Sequence, residues 1–387
     1  MSNRLNIVAD AHIWGVESAF ADLPGFDVRL QLLESSEINR QALKSADILL
    51  TRSATKVNES LLAGTPVRFA ATATIGDDHY DTAWLDANRI VWANAAGSST
   101  GSVIEYMLAL LIDLHLRGQI SIPDTTIGII GVGRIGSALA EICRQLGMQV
   151  LLNDPPRARA EGEEGFSSLE GLLNRADLIT LHTPLIRDGE DRTFHLLGSE
   201  RLAAFRGTGI INTGRGSCAD NSALIDWLNG DASRFAALDC WEHEPSPLRA
   251  LFNHPQLLIA TPHIAGHSLD GKAANTLFAY HALCRFLNIE PQWRMALPPP
   301  PRATTVTTTM NPWANLHAAV SSLYPLCEDS DSMKSWADLT DPELSHAFTG
   351  YRRHYPVRRA WQHCPIHFTT ADIETRRLAD AIGLKLV

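Results

Sequence analysis

The chain has 387 residues, of which 45% are hydrophobic and 20% charged, and a formal net charge of −10. This length is sufficient for two or three domains, and the composition is that of a globular protein. The acidic balance argues against nucleic acid as the main partner, because phosphate binding needs concentrated Lys and Arg. Six scattered cysteines without a C-x-x-C pair argue against a disulfide framework or a metal site.

The chain is expected to be cytoplasmic and to have no membrane partner. Its first ten residues, MSNRLNIVAD, lack the apolar core of a signal peptide. The most apolar helical stretch, 103–116, contains Glu105 and Asp113 and is shorter than the roughly 20 residues that span a bilayer. We interpret it as a buried helix.

Strand-like and helical segments alternate in the first 100 residues. The apolar runs lie at 5–9, 46–50, 69–73 and 89–94, with helical stretches such as 58–63 between them. This alternation predicts a parallel sheet covered on both faces. Ligands of such sheets bind beyond the carboxyl ends of the strands, so Ser53 and Thr74 are candidate site residues by position. Ordinary loop polarity would explain both residues equally well.

A glycine-rich turn follows the apolar run at 127–130 and precedes an Ala/Leu-rich helix. Gly131 permits a tight turn, Gly133 lets the backbone approach a pyrophosphate, and Gly136 allows the helix to pack on the strand. The helix N-terminus directs its N–H groups and positive dipole end at the phosphates. Asp154 ends the next strand, about 20 residues further on, where a ribose-binding carboxylate belongs.

This combination predicts a dinucleotide cofactor, and the acid indicates which one. A carboxylate at Asp154 accepts hydrogen bonds from a ribose diol and repels a 2′-phosphate. We therefore expect NAD rather than NADP, although Arg157 is close enough to keep NADP as an alternative.

The alternation continues towards the carboxyl half of the chain. Apolar runs at 176–181, 209–212, 234–239 and 257–260 are each followed by a polar cluster. Because parallel strands present their carboxyl ends at one edge of the sheet, these clusters should converge on a single crevice.

Three residues in these clusters form a candidate catalytic group. Arg215 lies between two glycines after a strand, where a guanidinium can make paired hydrogen bonds to a carboxylate. His263 lies in a Thr-Pro-His loop, and a neutral imidazole can take the proton from a hydroxyl as hydride leaves the same carbon. Glu244 could orient that ring and stabilise its protonated form.

The composition changes at the four consecutive prolines 298–301, which predict a stiff extended spacer. A basic and aromatic cluster follows at 351–355 and 358–361, then a possible helix at 370–382 and a short strand at 384–387. The cluster is interpreted either as a solvated basic face, or as a small interaction domain or a patch near an anionic substrate.

The order of these motifs resembles the D-isomer-specific 2-hydroxyacid dehydrogenase family. The glycine turn is followed by His-Thr-Pro-Leu at 182–185, Asn-Thr-Gly-Arg-Gly at 212–216, Leu-Asp-Cys-Trp-Glu-His-Glu-Pro at 238–245 and Thr-Pro-His-Ile-Ala-Gly at 261–266. Further segments resemble a branch of the family that acts on a phosphorylated acid: 51–58, 153–156, 220–221, 264–272, and 351–355 with 358–361. The resemblance is weakest between about 296 and 340.

The resemblance implies roles for individual residues. Arg215 would hold the substrate carboxylate, His263 would be the acid/base, and Glu244 would be its partner. The implied cofactor-binding residues are Gly131, Gly133, Arg134, Ile135, Gly136, Asp154, Thr183, Thr213, Asp239 and Gly266. The implied substrate-binding residues are Ser53, Thr74 and His267, and no metal is expected.

The resemblance also implies an α/β fold of two doubly wound, Rossmann-like lobes with parallel sheets and a small C-terminal α+β domain. Residues 1–100, completed by about 267–295, would form the substrate-binding lobe, and residues 101–266 the NAD-binding lobe. Residues 296–387 would form a dimerisation domain, which implies a homodimer. Catalysis is expected in a cleft between the lobes, on a phosphorylated small-molecule 2-hydroxy acid.

Some positions depart from the family pattern and leave other functions open. The loop at 96–100 reads Ala-Gly-Ser-Ser-Thr where Pro-Gly-Cys-Asn-Ala is usual, and His267 replaces a Tyr. One alternative is the same chemistry on glycerate, glyoxylate/glycolate or 3-phosphoglycerate. Another is a catalytically idle NAD-binding sensor, although all three catalytic residue types are retained. A third makes the C-terminal segment an anion-binding regulatory domain.

Overall fold

The computed structural model of the protein describes residues 3–355, 358–370 and 372–387. The strands are β1 (Asn3–Asp10), β2 (Phe26–Leu33), β3 (Ile48–Thr51), β4 (Phe69–Thr72), β5 (Val91–Ala93), β6 (Thr126–Ile130), β7 (Gln149–Asn153), β8 (Leu178–Leu181), β9 (Gly209–Asn212), β10 (Phe235–Leu238), β11 (Leu257–Ala260), β12 (Thr304–Val306), β13 (Pro365–Phe368) and β14 (Lys385–Leu386).

The α-helices are α1 (Val16–Phe20), α2 (Glu59–Leu62), α3 (Thr82–Ala87), α4 (Thr100–Leu116), α5 (Arg134–Gln145), α6 (Pro155–Glu161), α7 (Leu169–Arg175), α8 (Ser199–Ala204), α9 (Asn221–Asn229), α10 (Leu269–Leu287), α11 (Pro312–Leu323), α12 (Leu326–Lys334), α13 (Asp341–Arg353) and α14 (Ile373–Ala381). Short 3-10 turns lie at Ser35–Glu37, Ile122–Asp124, Gly216–Cys218, Arg249–Leu251 and Trp361–His363.

The chain divides into two compact units, of which the first comprises residues 1–99 and 268–299. Its five parallel strands have the order β2-β1-β3-β4-β5. Leu5 and Ile7 of β1 point into one core layer and Val8 into the opposite layer, as the alternation of a strand requires. Both faces of the sheet are therefore covered.

Strand β2 has no counterpart among the strands that the sequence predicts. It pairs with β1 at the edge of the first sheet, and its side chains alternate between partly buried and exposed. Three of its eight residues are polar, and the segment lacks the continuous apolar run that marks an interior parallel strand.

The second unit comprises residues 100–267 and 300–387. Its main sheet has six parallel strands in the order β11-β10-β9-β8-β6-β7. The strand order reverses at β6, which lies between β7 and β8. Ligands of doubly wound sheets bind at the carboxyl ends of the strands beside such a reversal. The glycine turn follows β6 and therefore lies at this point.

The apolar helix α4 belongs to this unit and is buried along nearly its whole length. Its Tyr106 hydroxyl lies 2.8 Å from the hydroxyl of Thr261, in the loop after β11. The described part of the chain contains no helix that combines the length and apolarity needed to cross a membrane.

Residues 300–387 add a three-stranded parallel sheet, β12-β13-β14, and four helices. Leu316 and Val320 of α11 share a core with Leu108 of α4 and Ile127 of β6. The segment therefore belongs to the same compact unit as the second sheet. Helix α14 and strand β14 correspond to the helix and strand expected there, although Ala371 lies outside the described residues.

The predicted α/β class with parallel sheets is confirmed. The functional division into substrate-binding, NAD-binding and dimerisation domains stays a prediction.

Candidate active site

The glycine turn between β6 and α5 is closely packed at two of its three glycines. Gly131 has a φ of +88°, and a Cβ there would lie 2.8 Å from the carbonyl carbon of His182. A Cβ on Gly136 would lie 2.1 Å from the main-chain oxygen of Gly131. Gly133 is exposed, with open space where a Cβ would stand. Of the three glycines, Gly133 is therefore the one at which a ligand can approach the backbone.

The first turn of α5 provides N–H groups for an anion. The helix begins at Arg134 after Gly133, and among the residues that the structure describes no side chain caps it. Arg134 is exposed and Ile135 half-buried, so the helix terminus is accessible. The first N–H groups of a helix have no partner within it and attract negative charge. This terminus fits the diphosphate of NAD.

A cavity of about 640 Å3 lies beside the glycine turn. Its lining includes Gly131, Asp154 and Thr183, which are three of the predicted cofactor-binding residues. The Asp154 carboxylate accepts hydrogen bonds from the N–H groups of Val132 (2.8 Å) and Arg157 (3.1 Å). The acid is thereby fixed against the turn, and the cavity fits the adenosine half of NAD.

His182 connects the ends of β8 and β9. Its Nδ1 lies 3.1 Å from the hydroxyl of Thr213, and its Nε2 lies 3.1 Å from that of Thr180. Burial lowers the pKa of His182 to about 3, so the ring is neutral at physiological pH. The neighbouring Thr183 hydroxyl donates to the sulfur of Cys218 at 3.4 Å. Thr183 and Thr213 are therefore held in place at adjacent strand ends.

The loop after β11 holds His263 in a left-handed backbone conformation, with a φ of +54°. Such a conformation costs a non-glycine residue about 1–3 kcal/mol unless neighbouring contacts offset it. The His263 N–H donates to the main-chain oxygens of Asp239 (2.7 Å) and Thr261 (3.0 Å). The buried Asp239 carboxylate accepts from the N–H groups of Ile264 (2.8 Å) and Ala265 (3.0 Å). Asp239 therefore fixes the loop that carries the histidine.

The Asp239 carboxylate also accepts a hydrogen bond from the Thr261 hydroxyl at 2.7 Å. Burial raises the pKa of Asp239, and these donors and His263 oppose that rise. All the hydrogen bonds described for this carboxylate come from the histidine loop, so the structure gives this acid a scaffolding role. Its predicted position beside the nicotinamide stays a prediction.

Glu244 and His263 form the expected acid–imidazole pair. Oε2 of Glu244 lies 2.7 Å from Nδ1 of His263, and Oε1 accepts the N–H of Trp241 at 2.8 Å. Burial acts to raise the pKa of Glu244, but His263, Arg352 and the Trp241 N–H together hold it below its usual value. The carboxyl group is ionised at neutral pH and can act only as an acceptor. Nδ1 of His263 therefore carries the proton, and Nε2 is left as the proton acceptor.

Arg215 lies in the loop after β9 and precedes the 3-10 turn at Gly216–Cys218. A Cβ on Gly216 would lie only 1.8 Å from the carbonyl carbon of Trp241. This close approach joins the Arg215 loop to the segment that carries Glu244. Nη1 of Arg215 donates to the main-chain oxygen of Gly214 at 2.9 Å. Arg215 is thus on the same strand-end edge as Glu244.

Cys240 lies next to the acid–imidazole pair. The sulfur of Cys240 and one atom each of Glu244 and His263 all lie within 4.8 Å of one another. Burial raises the pKa of Cys240 well above its usual value, and its Sγ donates to the oxygen of Gly214 at 3.3 Å. A protonated thiol is a poor metal ligand, and the other two groups bond to each other. The absence of a metal from the working protein stays a prediction.

The first unit also presents polar residues at the carboxyl ends of its strands. Ser53 is exposed after β3. The Thr74 hydroxyl lies 2.7 Å from that of Thr72 and donates to the oxygen of Gly76 at 3.2 Å. The structure places Ser53 and Thr74 at the edge of their sheet that the sequence predicts, and their contact with substrate stays a prediction.

The neighbour of Ser53, Arg52, is fixed by a buried acid. Nε of Arg52 donates to the Asp10 carboxylate at 3.0 Å, and the Ser35 hydroxyl donates to the same carboxylate at 2.5 Å. Burial acts to raise the pKa of Asp10, but Ser35, Arg52 and the His12 N–H together lower it. An ionised Asp10 therefore orients the Arg52 guanidinium at the end of β3.

Two arginines of the C-terminal segment contact the loop that carries His263. The sequence did not predict these contacts. Nε of Arg352 donates to the main-chain oxygen of His263 at 3.2 Å, and Nη2 of Arg358 donates to that of His267 at 3.4 Å. The His267 ring also lies edge-on to Tyr355, with ring centroids 6.0 Å apart. Gly266 lies half-buried in the same loop. The sequence shows these arginines as a basic cluster but does not indicate what they contact.

The comparisons with known proteins agree with this geometry. Residues 113–265 match the NAD-binding domain of the D-isomer specific 2-hydroxyacid dehydrogenases. The chain is 40% identical over 390 residues to the erythronate-4-phosphate dehydrogenase of Pseudomonas aeruginosa (strain UCBPP-PA14), covering 99% of this chain and 100% of the relative. It is 39% identical over 360 residues to that of Hydrogenovibrio crunogenus, covering 92% of each chain.

Solved structures show the same fold at lower identity. The D-lactate dehydrogenase of Aquifex aeolicus, solved with NAD and lactic acid, has a TM-score of 0.59 at 22% identity, covering 73% of this chain and 95% of its own. The D-mandelate dehydrogenase of Rhodotorula graminis has a TM-score of 0.61 at 20% identity, covering 73% of this chain and 94% of its own. The Rossmann-like fold, the dehydrogenase class and the NAD cofactor expected from the sequence are confirmed. The chain belongs to the erythronate-4-phosphate dehydrogenase family, within the D-isomer-specific 2-hydroxyacid dehydrogenases.

Proposed function

We propose that this protein oxidises 4-phospho-D-erythronate to 2-oxo-3-hydroxy-4-phosphobutanoate, with NAD as the oxidant. The substrate is that named for relatives about 40% identical over 99% of the chain. The observation that carries the proposal is the 2.7 Å contact between His263 and Glu244, at the strand-end edge that also carries the glycine turn. A hydroxy acid needs such a proton acceptor when its carbon is oxidised.

Bound NAD supplies the acceptor for the hydride that leaves C2 of the substrate. Nε2 of His263 takes the proton from the C2 hydroxyl, while Nδ1 keeps its hydrogen bond to Glu244. The ionised Glu244 stabilises the positive ring that forms. In this way the hydroxyl proton moves to the protein as the C2–O bond becomes a carbonyl.

Arg215 holds the substrate in this proposal. Its guanidinium pairs with the substrate carboxylate and stabilises negative charge that develops on the reacting oxygen. The close approach of Gly216 to Trp241 fixes the Arg215 loop relative to the Glu244 segment. Ser53, Thr74 and His267 contribute further hydrogen bonds to the substrate.

Arg52 is the best supported of the possible phosphate-binding residues. Asp10 occupies Nε of its guanidinium at 3.0 Å and thereby fixes the orientation of the two terminal nitrogens. Lys56 is exposed and nearby in sequence, but it follows the strand end by several residues. An oriented guanidinium binds phosphate with paired hydrogen bonds, which a lysine cannot make.

The proposal also covers the pathway, the cellular compartment and the oligomeric state of the enzyme. The reaction would serve the route to pyridoxal phosphate, in the cytoplasm, and the enzyme would be a homodimer that uses residues 296–387. All six cysteines are free in the structure, which is compatible with a reducing compartment. Sedimentation should use the full chain, because Leu316 and Val320 share a core with α4 and truncation near Pro298 would expose it.

A substrate screen tests the proposed function. The purified chain is mixed with NAD and one acid at a time, and NADH formation is followed by absorbance. We expect kcat/KM for 4-phospho-D-erythronate to exceed that for D-glycerate, glycolate and D-3-phosphoglycerate. A preference for one of those acids would contradict the substrate, and tight NADH binding without turnover of any acid would indicate the sensor function instead.

A further inference from the structure

The backbone of His263 is held from two directions by groups far away in sequence. Its N–H donates to the oxygen of Asp239 at 2.7 Å, on the side of the sheet. Its main-chain oxygen accepts Nε of Arg352 at 3.2 Å, from helix α13. His263 has a φ of +54°, a conformation that a histidine keeps only where its surroundings impose it. Arg352 therefore contacts the residue of this loop that has the strained backbone conformation.

Arg352 is itself fixed by its own helix. It lies near the end of α13, half-buried, with its guanidinium 5.9 Å from the ring centroid of Phe348, one turn earlier. Phe348 is fully buried in the core of the second unit. The guanidinium is therefore held on a rigid helix rather than on a mobile loop.

We propose that Arg352 is a positioning residue for the catalytic histidine, and that α13 is thereby part of the catalytic apparatus. This proposal rests on the proposed function, because it assumes that His263 transfers the proton. Arg352 does not touch the substrate in this account. It fixes the carbonyl of His263, and so the direction in which the ring meets the substrate hydroxyl.

The charge of Arg352 supports the same role. Arg352 is one of the groups that lower the pKa of Glu244, together with His263 and the Trp241 N–H and against the effect of burial. Burial raises the pKa of Cys240, and the charge of Arg352 opposes that rise; the Cys240 sulfur lies within 4.8 Å of atoms of Glu244 and His263. The guanidinium is therefore close to the whole acid–imidazole group, and it keeps Glu244 in the form that can only accept a hydrogen bond.

A second contact shows that the C-terminal segment holds the loop at both ends. Nη2 of Arg358 donates to the main-chain oxygen of His267 at 3.4 Å. Arg358 is buried against the ring of Tyr324, 4.2 Å from its centroid, and forms an ion pair with Glu105 of α4. Because Arg358 is part of this buried network, its replacement would disturb the core. Arg352 is the better position for a test.

The test compares Arg352→Met, Arg352→Lys and the control Lys385→Met in the full chain. Met keeps the aliphatic stem and removes both the charge and the hydrogen bond. Lys keeps the charge and can still donate one hydrogen bond to the His263 carbonyl. Lys385 is an exposed cation of strand β14, in the same C-terminal segment. For each variant, kcat, KM, the NAD dissociation constant and the thermal midpoint are measured.

We expect Arg352→Met to lower kcat by roughly 10- to 100-fold, since small misplacements of a catalytic group have effects of this size. KM and the NAD dissociation constant should stay near the wild-type values. Arg352→Lys should recover a large part of the lost kcat, and Lys385→Met should behave as wild type. A wild-type kcat in Arg352→Met, or an equal loss in Lys385→Met, would overturn the proposal.

A spectroscopic measurement does not depend on turnover. The carboxyl group of Glu244 is followed by carbon-13 NMR as the pH is lowered, with Glu244→Gln to assign its signal. Removing the positive charge of Arg352 should raise the pKa of Glu244, and Arg352→Lys should restore it. An unchanged Glu244 titration in Arg352→Met would contradict the proposal even if the variant were less stable. If the wild type oxidised none of the acids while the pKa of Glu244 still rose in Arg352→Met, the proposed function would be wrong. The interaction of Arg352 with the acid–imidazole group would nevertheless be supported.

Discussion

Nδ1 of His263 lies 2.7 Å from the Glu244 carboxylate, and this single contact determines which ring nitrogen can react. The carboxylate, held ionised by its neighbours, must accept, so Nδ1 donates. In the neutral ring, Nε2 then carries the lone pair. The imidazole is thereby fixed in the tautomer that oxidation of a hydroxyl needs, and each side of the pair can be tested separately.

Replacing the imidazole should stop proton transfer without disturbing the cofactor site. We expect His263→Ala to lower kcat by at least about 10²–10⁴-fold, the usual contribution of general acid–base catalysis. NAD binding, measured by fluorescence titration, should persist because the glycine turn is untouched. His346→Ala, an exposed histidine of α13, is the matched control. Near-normal turnover of His263→Ala would refute the assignment of the base.

The ionisation of Glu244 should affect how the free energy of unfolding depends on pH. The pKa of Glu244 lies below its ordinary value of 4.5, so the folded state favours the ionised form. The ionised Glu244 stabilises the folded state fully at pH values above its ordinary pKa. This stabilisation is lost as the pH falls through the lowered pKa of the folded state. The unfolding free energy of wild type minus that of Glu244→Gln should therefore be largest near neutrality and shrink below pH 4.5. Urea unfolding of both proteins measures this, with the exposed Glu200→Gln as control. A difference that grows on acidification would contradict the assignment.

Two glycines of the same turn should separate folding from cofactor binding. A Cβ on Gly136 would lie 2.1 Å from the oxygen of Gly131, so Gly136→Ala should lose about 1–3 kcal/mol or more of stability. A Cβ on Gly133 meets no atom within 4 Å, and its φ of −72° suits any residue. Gly133→Ala should therefore keep its thermal midpoint but bind NAD at least about tenfold more weakly, because the methyl group meets the diphosphate. Equal loss of stability in both variants would contradict this reading of the turn.

Binding of the substrate's phosphate group should depend on Arg52. Hydrogen bonds to charged groups contribute about 1.5–3 kcal/mol, so Arg52→Met should raise KM for the phosphorylated acid roughly ten- to hundredfold. The same variant should change KM little for unphosphorylated erythronate, provided that any turnover is measurable. Arg40→Met, whose guanidinium donates to the oxygen of Ser60 at 2.6 Å, is the control in the same unit. An equal effect on both substrates would show that Arg52 does not bind the phosphate.

The sequence was most informative about the interior strands and their ends. The strands of a parallel sheet with covered faces are buried on both sides, so the interior strands β6 and β8 and the edge strand β11 appear as short uninterrupted apolar runs. Their carboxyl ends meet at one edge, and position alone therefore indicated Arg215 and His263. The strands it missed are β2, whose side chains alternate between partly buried and exposed, and the short strands β12 and β13.

Contacts between distant segments could not be predicted in this way. Arg352 and His263 are 89 residues apart in sequence, and no periodic pattern links a helix end to a loop at that distance. The sequence assigned Asp239 only to the cofactor, but its carboxylate accepts the N–H groups of Ile264 and Ala265. The sequence pattern indicates that an acid lies at the end of a strand. It does not indicate which groups donate hydrogen bonds to that acid, because this depends on the conformation of the loop.

The two units are interleaved along the chain, and this constrains how the protein is made. The first unit lacks α10 until residues 268–299 have left the ribosome, and the second lacks part of its core until residues 300–387 have followed. Neither can mature early during translation, although the amino-terminal domain of a nascent chain usually folds first. A stalled or prematurely terminated polypeptide would expose apolar sheet faces, so we expect newborn chains to rely on chaperones until synthesis ends.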